Sequence, residues 1–293
     1  MQNRATEDSR VNRLKALLTA RKAVPAPGCH DPLGAMLIEQ AGFEAVSLSG
    51  YSVAASQGKP DIGLLTGTQM AGHAAAIAET VSVPVIADAD TGYGGISNVA
   101  DTVRAYERSG VAALHLEDQV NPKRCGAMSS KQLASDEEMA QRLHAALAAR
   151  KHMLVIGRTD AVTLFGVDEA IRRCRRMADC GVDAVMVPSL STLEDIEKVT
   201  RSCPVPVLHT VAETVRPLYS QAELESTGLG MVLYSITLIQ ASVFLQRAIL
   251  SELRRNGSTA GFVNGMTPLA ELSALLGAGR YADFESEILG KAR

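Results

Sequence analysis

VPVIAD at residues 83–88 and MLVIGR at residues 153–158 are continuous apolar runs, and each ends in a charged side chain. A strand that is buried on both faces, as in a parallel sheet, has this pattern, whereas a strand with one solvated face alternates apolar and polar residues. The two runs therefore predict buried parallel strands with a functional group at the carboxyl end.

The same unit recurs along the chain as an apolar run, a small or acidic residue, a loop and an amphipathic stretch. Eight runs predict strands, at residues 23–27, 45–49, 83–88, 112–117, 153–158, 184–187, 205–210 and 231–234. Helical patterns follow them at residues 31–41, 67–81, 98–109, 135–150, 167–180, 193–200, 221–226 and 236–256. Gly42, Gly110 and Gly181 each stand between a helical pattern and a strand, where a helix C-terminus favours glycine.

Eight such repeats predict an α/β fold, a (β/α)8 TIM barrel. A doubly wound Rossmann-type sheet is the alternative, but no GxGxxG motif follows the first predicted strand. We therefore divide the chain into a catalytic barrel, residues 1–256, and a C-terminal helical extension, residues 257–293. We expect this extension to pack on a neighbouring subunit; folding back onto its own barrel is the alternative.

Charge, cysteine spacing and hydropathy argue against several classes of protein. The 293 residues include 29 Lys and Arg against 32 Asp and Glu, a net charge of −3, which argues against a general binder of nucleic acid or anionic membrane. The five cysteines follow no zinc-binding spacing, and the N-terminus lacks the apolar core of a signal peptide. Polar residues interrupt the most apolar window, 231–250, as expected for a packed helix rather than a membrane span. We expect a cytoplasmic protein with reduced thiols.

Carboxylates collect at the predicted strand ends, where barrels of this type carry their active sites. Asp88, Asp90, Glu117 and Asp118 would repel one another when partly buried, so a compensating cation is expected. Mg2+ is the economical choice, with Mn2+ as a possible substitute. We favour metal binding for Asp88 and Glu117; the alternatives are helix capping, or pairing with Arg158, Lys123 or Arg124. Asp118 could equally orient a basic side chain, and His115 is expected to be a core residue.

Two further features accompany the carboxylates: a basic loop that contains Cys125, and Arg158. Cys125 stands beside Lys123 and Arg124, which suits a thiol of lowered pKa that donates or accepts a proton, although an exposed cysteine without a role is an equal alternative. Arg158 at a strand end indicates an anionic substrate bound through a carboxylate. A cation, an arginine and a proton-donating thiol together suit chemistry through an enolate.

Five segments together resemble the isocitrate lyase/phosphoenolpyruvate mutase superfamily. They read LSGYSVAAS from residue 48, GKPDIGLLT from 58, ADADTGYG from 87, LHLEDQVNPKRCG from 114 and GRTDA from 157. The resemblance is greatest to the branch that contains 2-methylisocitrate lyases and 2,3-dimethylmalate (2-alkylmalate) lyases. It implies a barrel with a C-terminal helix swapped between subunits, a homotetramer built as a dimer of dimers, and Mg2+.

The resemblance also assigns residues. It implies that the substrate contacts Ser49, Gly50, Tyr51, Gly126 and Arg158. It implies Asp88 as the main metal ligand, with Asp61, Asp90 and Glu117 holding the metal mostly through water. Cys125 corresponds to the acid/base cysteine, and with Arg158, Glu117 and Tyr51 it makes up the expected catalytic set.

The chain departs from the family pattern at three places. The family's Cys-Gly-His reads Cys125-Gly126-Ala127, Ser189 stands where a Glu is usual, and Thr210 stands where an Asn is frequent. We still expect Ser189 and Thr210 to face the substrate. A site built to form hydrogen bonds discriminates strongly between ligands, so these changes argue against methylisocitrate as the substrate.

The sequence therefore predicts a Mg2+-dependent carbon–carbon lyase that cleaves a 2-hydroxy (alkyl)malate-type dicarboxylate into a 2-oxo acid and a carboxylate. One alternative is an oxaloacetate decarboxylase or hydrolase, or a phosphonate mutase or hydrolase, on the same scaffold. The other is a dicarboxylate-binding homologue without catalysis. No nucleic-acid or membrane partner is expected.

Overall fold

The computed structural model describes residues 2–126 and 130–291, and its centre is a closed barrel of eight parallel strands. Neighbouring strands pair in chain order, and the eighth pairs with the first. The predicted barrel is confirmed, and each strand lies within two residues of its predicted bounds. The strands are β1 (Val24–Cys29), β2 (Val46–Leu48), β3 (Val85–Asp88), β4 (Ala113–Glu117), β5 (Leu154–Arg158), β6 (Ala184–Met186), β7 (Val207–Thr210) and β8 (Met231–Tyr234).

Helices alternate with the strands, and three of them have no counterpart in the sequence pattern: α1, α3 and α7. The first five are α1 (Gln2–Thr19), α2 (Pro32–Gln40), α3 (Gly50–Ser56), α4 (Gly67–Thr80) and α5 (Ile96–Arg108). Then come α6 (Asp136–Ala149), α7 (Val162–Phe165), α8 (Val167–Asp179), α9 (Leu193–Ser202), α10 (Gln221–Ser226) and α11 (Thr237–Asn256). A short 3-10 helix (Val263–Gly265), α12 (Leu269–Leu275) and α13 (Ala278–Lys291) end the chain.

The core has two layers, and aliphatic side chains fill both of them. One cluster lies inside the barrel and includes Ile86, Ile156 and Met231; the other lies between the strands and the surrounding helices. Leu14 and Leu18 of α1 belong to the inner cluster, so α1 closes the barrel from the end opposite the polar strand ends. Branched aliphatic layers of this kind are typical of barrel interiors. They account for the low aromatic content of the chain, which is 4% with no Trp.

Leu14→Ala is expected to lower the free energy of unfolding by about 2–5 kcal/mol, because the fully buried side chain leaves a cavity that the barrel cannot refill. Chemical denaturation measures the effect. Lys15→Ala is the matched control, since Lys15 is exposed on the same turn. Equal stability of the two variants would contradict a packing role for α1.

The residues form two compact units, 1–240 and 241–293, and the boundary falls within α11. Large apolar side chains are exposed in the second unit, among them Phe244, Leu269, Phe284 and Leu289. None of the helices in the described residues is both long enough and apolar enough to cross a membrane.

Candidate active site

A cavity of about 110 Å³ opens at the carboxyl ends of the strands. Most of the residues that the sequence predicts for the site line it, namely Ser49, Tyr51, Asp61, Asp88, Cys125, Gly126, Arg158, Ser189 and Thr210. Gly50, Asp90 and Glu117 do not line the cavity, but each contacts a residue that does: Gly50 and Asp90 contact Asp88, and Glu117 contacts Arg158. The parallel strands therefore bring together side chains that are far apart in the chain.

Asp88 ends β3 and is held by backbone donors. The Gly50 N–H donates to its Oδ2 at 3.3 Å, and the Asp90 N–H donates to its Oδ1 at 3.0 Å. A Cβ on residue 50 would lie 2.8 Å from Asp88 Oδ2, so this close approach requires glycine. Ser49 caps α3 by accepting a hydrogen bond from the Ser52 N–H, which explains why the turn after β2 continues into a helix.

The loop of residues 118–135, between β4 and α6, carries Cys125 and is called the cysteine loop below. Its Lys123 reaches inward and binds two of the predicted metal-site carboxylates. Its Nζ lies 2.5 Å from Asp61 Oδ1 and 2.8 Å from Asp90 Oδ1, and all three residues are buried. Burial alone would lower the pKa of Lys123, but Asp90, Glu117 and the other carboxylates raise it well above its usual range. Lys123 thus supplies positive charge to the carboxylate cluster, as the pairing alternative for these carboxylates predicts. Burial raises the pKa of Asp90 to about 6, against the opposing effect of Lys123.

Arg158 forms a buried charge cluster with two carboxylates. Its Nη1 lies 3.1 Å from Glu117 Oε2, and its Nη2 lies 3.1 Å from Asp160 Oδ1. Glu117 and Arg158 are register partners on β4 and β5, so the barrel itself places them side by side. Burial raises the pKa of Glu117 well above its usual range, although Arg158 opposes this. Within residues 2–126 and 130–291, neither carboxylate oxygen of Glu117 has an aligned hydrogen bond.

His115 lies in the site rather than in the core, contrary to the sequence interpretation. It lines the cavity, and its Nδ1 lies 3.7 Å from Asp88 Oδ1. In the described part of the chain this nitrogen has no hydrogen-bond partner. Burial lowers the pKa of His115 to about 4, against the opposing effect of Asp88, so the ring is neutral at pH 7. Strand register, which pairs Asp88 with His115, is the signal that could have placed it.

The cysteine loop is fixed at the cavity by its backbone. The Cys125 N–H donates to the Asp61 carbonyl at 3.1 Å, and Cys125 is half-buried. A Cβ on residue 126 would lie 2.9 Å from Arg158 Nη2, so only glycine lets the loop approach the guanidinium this closely. Ala127 lies outside the described residues, and the lowered pKa of the Cys125 thiol stays a prediction.

Asp118 orients other groups, which is one of the two roles that the sequence left open. Its carboxylate accepts hydrogen bonds from Thr159 Oγ1 at 2.6 Å, from the Asp160 N–H at 3.0 Å and from Arg173 Nη1 at 3.1 Å. It is therefore fully engaged behind the site, and it ties α8 to the end of β5. Neither Thr159 nor Arg173 was predicted, because their contacts form only across neighbouring β/α units.

The donor set is compatible with a hard divalent cation. Asp88 presents carboxylate oxygen to the cavity, and Glu117 has two buried oxygens that lack aligned donors. Among residues 2–126 and 130–291, no group of three or more His, Cys, Asp and Glu side chains is arranged to hold a metal. Mg2+ needs only one or two carboxylates, because it keeps several waters and takes oxygen from its substrate. The residues therefore fit Mg2+ and do not fit zinc.

Comparison with known proteins now places the chain. Residues 14–254 match the family model described as phosphoenolpyruvate phosphomutase. The 2,3-dimethylmalate lyase of Eubacterium barkeri is 38% identical over 277 residues, which cover 93% of this chain and 96% of that protein. The chain belongs to the phosphoenolpyruvate mutase/isocitrate lyase superfamily. A 2-methylisocitrate lyase of Aeropyrum pernix is 35% identical, covering 95% of this chain and 91% of that protein. The predicted membership, and with it the prediction of a lyase of this superfamily, is confirmed.

Solved structures of the superfamily superpose closely on the chain. An oxaloacetate acetylhydrolase bound to 3,3-difluorooxalacetate has a TM-score of 0.89 at 32% identity, covering 96% of this chain and 98% of that one. A phosphonopyruvate hydrolase in complex with oxalate and Mg2+ has a TM-score of 0.87 at 32% identity, covering 96% and 99%. These relatives act on small carboxylic acids, and one of them holds Mg2+.

Proposed function

We propose that the protein is a Mg2+-dependent carbon–carbon lyase that cleaves a 2-hydroxy (alkyl)malate-type dicarboxylate into a 2-oxo acid and a carboxylate. The observation that carries this proposal is the convergence of Asp88, Arg158, Cys125 and the Ser49–Gly50 turn on one small cavity. The relatives named as 2,3-dimethylmalate and 2-methylisocitrate lyases support the reaction type.

Arg158 and the turn after β2 bind the substrate in this proposal. Among the described residues that line the cavity, Arg158 is the one Lys or Arg side chain. Its guanidinium is held by Glu117 and Asp160, so it is oriented before the substrate arrives and can form paired hydrogen bonds with a carboxylate. Ser49 and Tyr51 contribute hydroxyl groups to the same cavity from the end of β2.

The proposed reaction removes one proton from the substrate, cleaves the C2–C3 bond and returns one proton to the departing carbon. A base, for which Tyr51 is one candidate, takes the proton of the 2-hydroxyl group; the C2–C3 bond breaks, and C2 becomes the carbonyl carbon of the 2-oxo acid. The electron pair of the broken bond stays on the departing fragment as an enolate-like carboxylate. The Cys125 thiol then delivers its proton to that carbon.

A divalent cation at Asp88, with Glu117, Asp61 and Asp90 acting through water, would supply Lewis-acid stabilisation of the oxygen on which negative charge develops. In the same region, Lys123 balances the charges of Asp61 and Asp90, and the Gly50 N–H fixes the Asp88 carboxylate.

The ends of β6, β7 and β8 favour an alkyl substituent over a third carboxylate. Among the described residues, the cavity wall there contains Met186, Pro188, Val211, Ala212 and Ile236, together with the hydroxyl groups of Ser189, Thr210 and Ser235. A third carboxylate placed on this wall would be desolvated without a cation to pair with. This argument favours 2-methylmalate- and 2,3-dimethylmalate-like substrates over methylisocitrate.

Cys125→Ser is the test of the proposed chemistry. We expect kcat for the best alkylmalate to fall about 100-fold or more, because a hydroxyl group is a far weaker acid than a thiol and general acid catalysis contributes about 10²–10⁴. KM should change little, since Arg158 is untouched. A coupled assay in the presence of Mg2+ follows release of the 2-oxo acid. The compounds tested as substrates are malate, 2-methylmalate, 2,3-dimethylmalate, methylisocitrate, oxaloacetate and phosphonopyruvate.

Cys180→Ser, a half-buried thiol at the end of α8, is the matched control. Undiminished turnover in Cys125→Ser would refute the role of the thiol. Turnover of oxaloacetate or phosphonopyruvate alone would move the protein to a hydrolase of the same superfamily. Tight oxalate binding without turnover of any compound would make it a binding protein.

The assembly and the location of the protein stay predictions. The exposed apolar side chains of residues 241–293 support packing of the C-terminal helices on a neighbouring subunit in a homotetramer. The division at residue 256 and the cytoplasmic location likewise rest on the sequence.

A further inference from the structure

Gln119 follows β4 and is 1% exposed, yet no role in the site has been assigned to it. Its side-chain amide makes three hydrogen bonds. Nε2 donates to the Arg124 carbonyl at 2.8 Å and to Asp160 Oδ2 at 2.6 Å, and Oε1 accepts from the Arg124 N–H at 2.9 Å. Both N–H donors are used, and so is the oxygen. One side chain therefore binds both backbone groups of Arg124, the residue next to Cys125, and also the carboxylate that holds Arg158.

The surroundings of Gln119 keep this arrangement fixed. Arg142 Nη1 donates to the Gln119 carbonyl at 2.7 Å, and Gln119 pairs with Leu133 in an antiparallel bridge. The two ends of the cysteine loop are thereby joined at its base. The loop also closes onto itself through the Lys131 ammonium group, which donates to the Gly126 carbonyl.

The hydrogen bonds of Gln119 hold the loop backbone at Gly126 close to the Arg158 guanidinium. Residue 126 approaches Arg158 so closely that a Cβ would lie 2.9 Å from Nη2 and 3.3 Å from Asp160 Oδ1. The loop backbone and the guanidinium are thus in direct contact, with Asp160 bound to both Gln119 and Arg158. A displacement of residues 124–126 would change the distance between the thiol and the substrate carboxylate, and displacements of about 1 Å are known to cost about 10²-fold in rate.

We propose that Gln119 is a positioning residue that sets the place of the Cys125 thiol relative to Arg158. This inference rests on the proposed function for its kinetic consequence. Gln119 touches no substrate; it acts through Cys125. Its loss should therefore lower kcat and leave KM nearly unchanged, since Glu117 and Asp160 still hold Arg158.

Gln119→Met, which keeps length and removes every hydrogen bond of the side chain, tests the proposal. We expect kcat to fall about thirtyfold with KM within about threefold. In a Cys125→Ser background the same substitution should lower kcat by less than about threefold, because the proton donor that it positions is already gone. Gln132→Met is the matched control, because Gln132 is exposed and lies next to Leu133 at the base of the loop. Gln119→Asn, which keeps an amide but is too short to bind Asp160 and both backbone groups of Arg124, serves if the Met variant does not fold.

Equal losses in the two backgrounds would overturn the proposal, because a purely structural role does not depend on the thiol. A second measurement needs no turnover: the alkylation of Cys125 by iodoacetamide, followed by mass spectrometry of its peptide. Gln119→Met should raise this rate about tenfold over wild type and over Gln132→Met, because the loop opens more readily. Equal rates would also overturn the proposal. Absence of wild-type turnover would refute the proposed function alone, and the alkylation rates would still decide the role of Gln119.

Discussion

Arg158→Lys is expected to lower kcat/KM for the best alkylmalate several-hundredfold. Lysine keeps the charge, but it cannot contact Glu117, Asp160 and a substrate carboxylate at the same time, as the planar guanidinium can. Losing two charge-assisted hydrogen bonds costs about 3–4 kcal/mol, and each 1.4 kcal/mol corresponds to a factor of about ten. Most of the loss should fall on KM, because the contact is present in the ground state as well as in the transition state.

Steady-state kinetics with the substrate panel measure this effect. Arg201→Lys is the matched control, since the Arg201 side chain is 79% exposed and pairs with Glu197 on the surface of α9. Thermal unfolding should accompany the kinetics, because a lysine in the buried cluster also leaves one carboxylate less well compensated. A variant with unchanged KM would show that Arg158 does not bind the substrate.

Asp88→Asn is expected to lower kcat at least a thousandfold and to abolish the response of the activity to Mg2+. The amide keeps the shape and one acceptor for the Gly50 and Asp90 N–H groups, but it removes the charge that a hard cation needs. Lewis-acid stabilisation supplies several kcal/mol in metal-dependent reactions of this kind, which sets the size of the loss at about 10³-fold or more.

Electron paramagnetic resonance measures Mn2+ binding directly, so it tests the loss of the metal independently of the loss of activity. The wild-type protein should bind Mn2+, and Asp88→Asn should bind it too weakly to detect at the same concentration. Asp101→Asn, at an exposed carboxylate on α5, should behave as wild type. Mn2+ binding by Asp88→Asn equal to that of wild type would rule out Asp88 as the main metal ligand.

The barrel could be predicted from sequence because its signal is local and repeated. Continuous apolar runs such as those ending in Asp88 and Arg158, with a glycine before the next strand, recur often enough that errors of one or two residues at an end do not change the fold. Helices α1 and α3 escaped for different reasons. Among residues 9–19 of α1, for which the structure describes burial, only Leu14 and Leu18 are buried. Helix α3 begins at Gly50, directly after its cap Ser49, where a strand end and a loop were expected.

The site could be predicted only where a residue type itself indicates chemistry. Asp88, Arg158 and Cys125 carry such a signal, and the resemblance to the superfamily added Asp61. Asp160 and Gln119 do not, because their importance lies in a contact between residues 41 positions apart. Lys123 could be named as one of several pairing partners, but its contact with Asp61 spans 62 positions and could not be assigned. His115 was misjudged because an apolar strand pattern says which residues are buried, but it does not say that a buried strand end can face a cavity.

Because α1 packs into one end of the barrel, stability and substrate binding depend on opposite ends. Leu14 and Leu18 fill one end of the barrel with side chains that do not line the cavity. Packing at this end therefore contributes to the free energy of unfolding without affecting the substrate, and it can offset destabilising substitutions elsewhere. The walls contributed by β6, β7 and β8 can then change their side chains to accept a different acid while the other end preserves the fold. New substrate preferences on this scaffold should arise at positions such as 189 and 210, and their stability cost can be offset at the opposite end of the barrel.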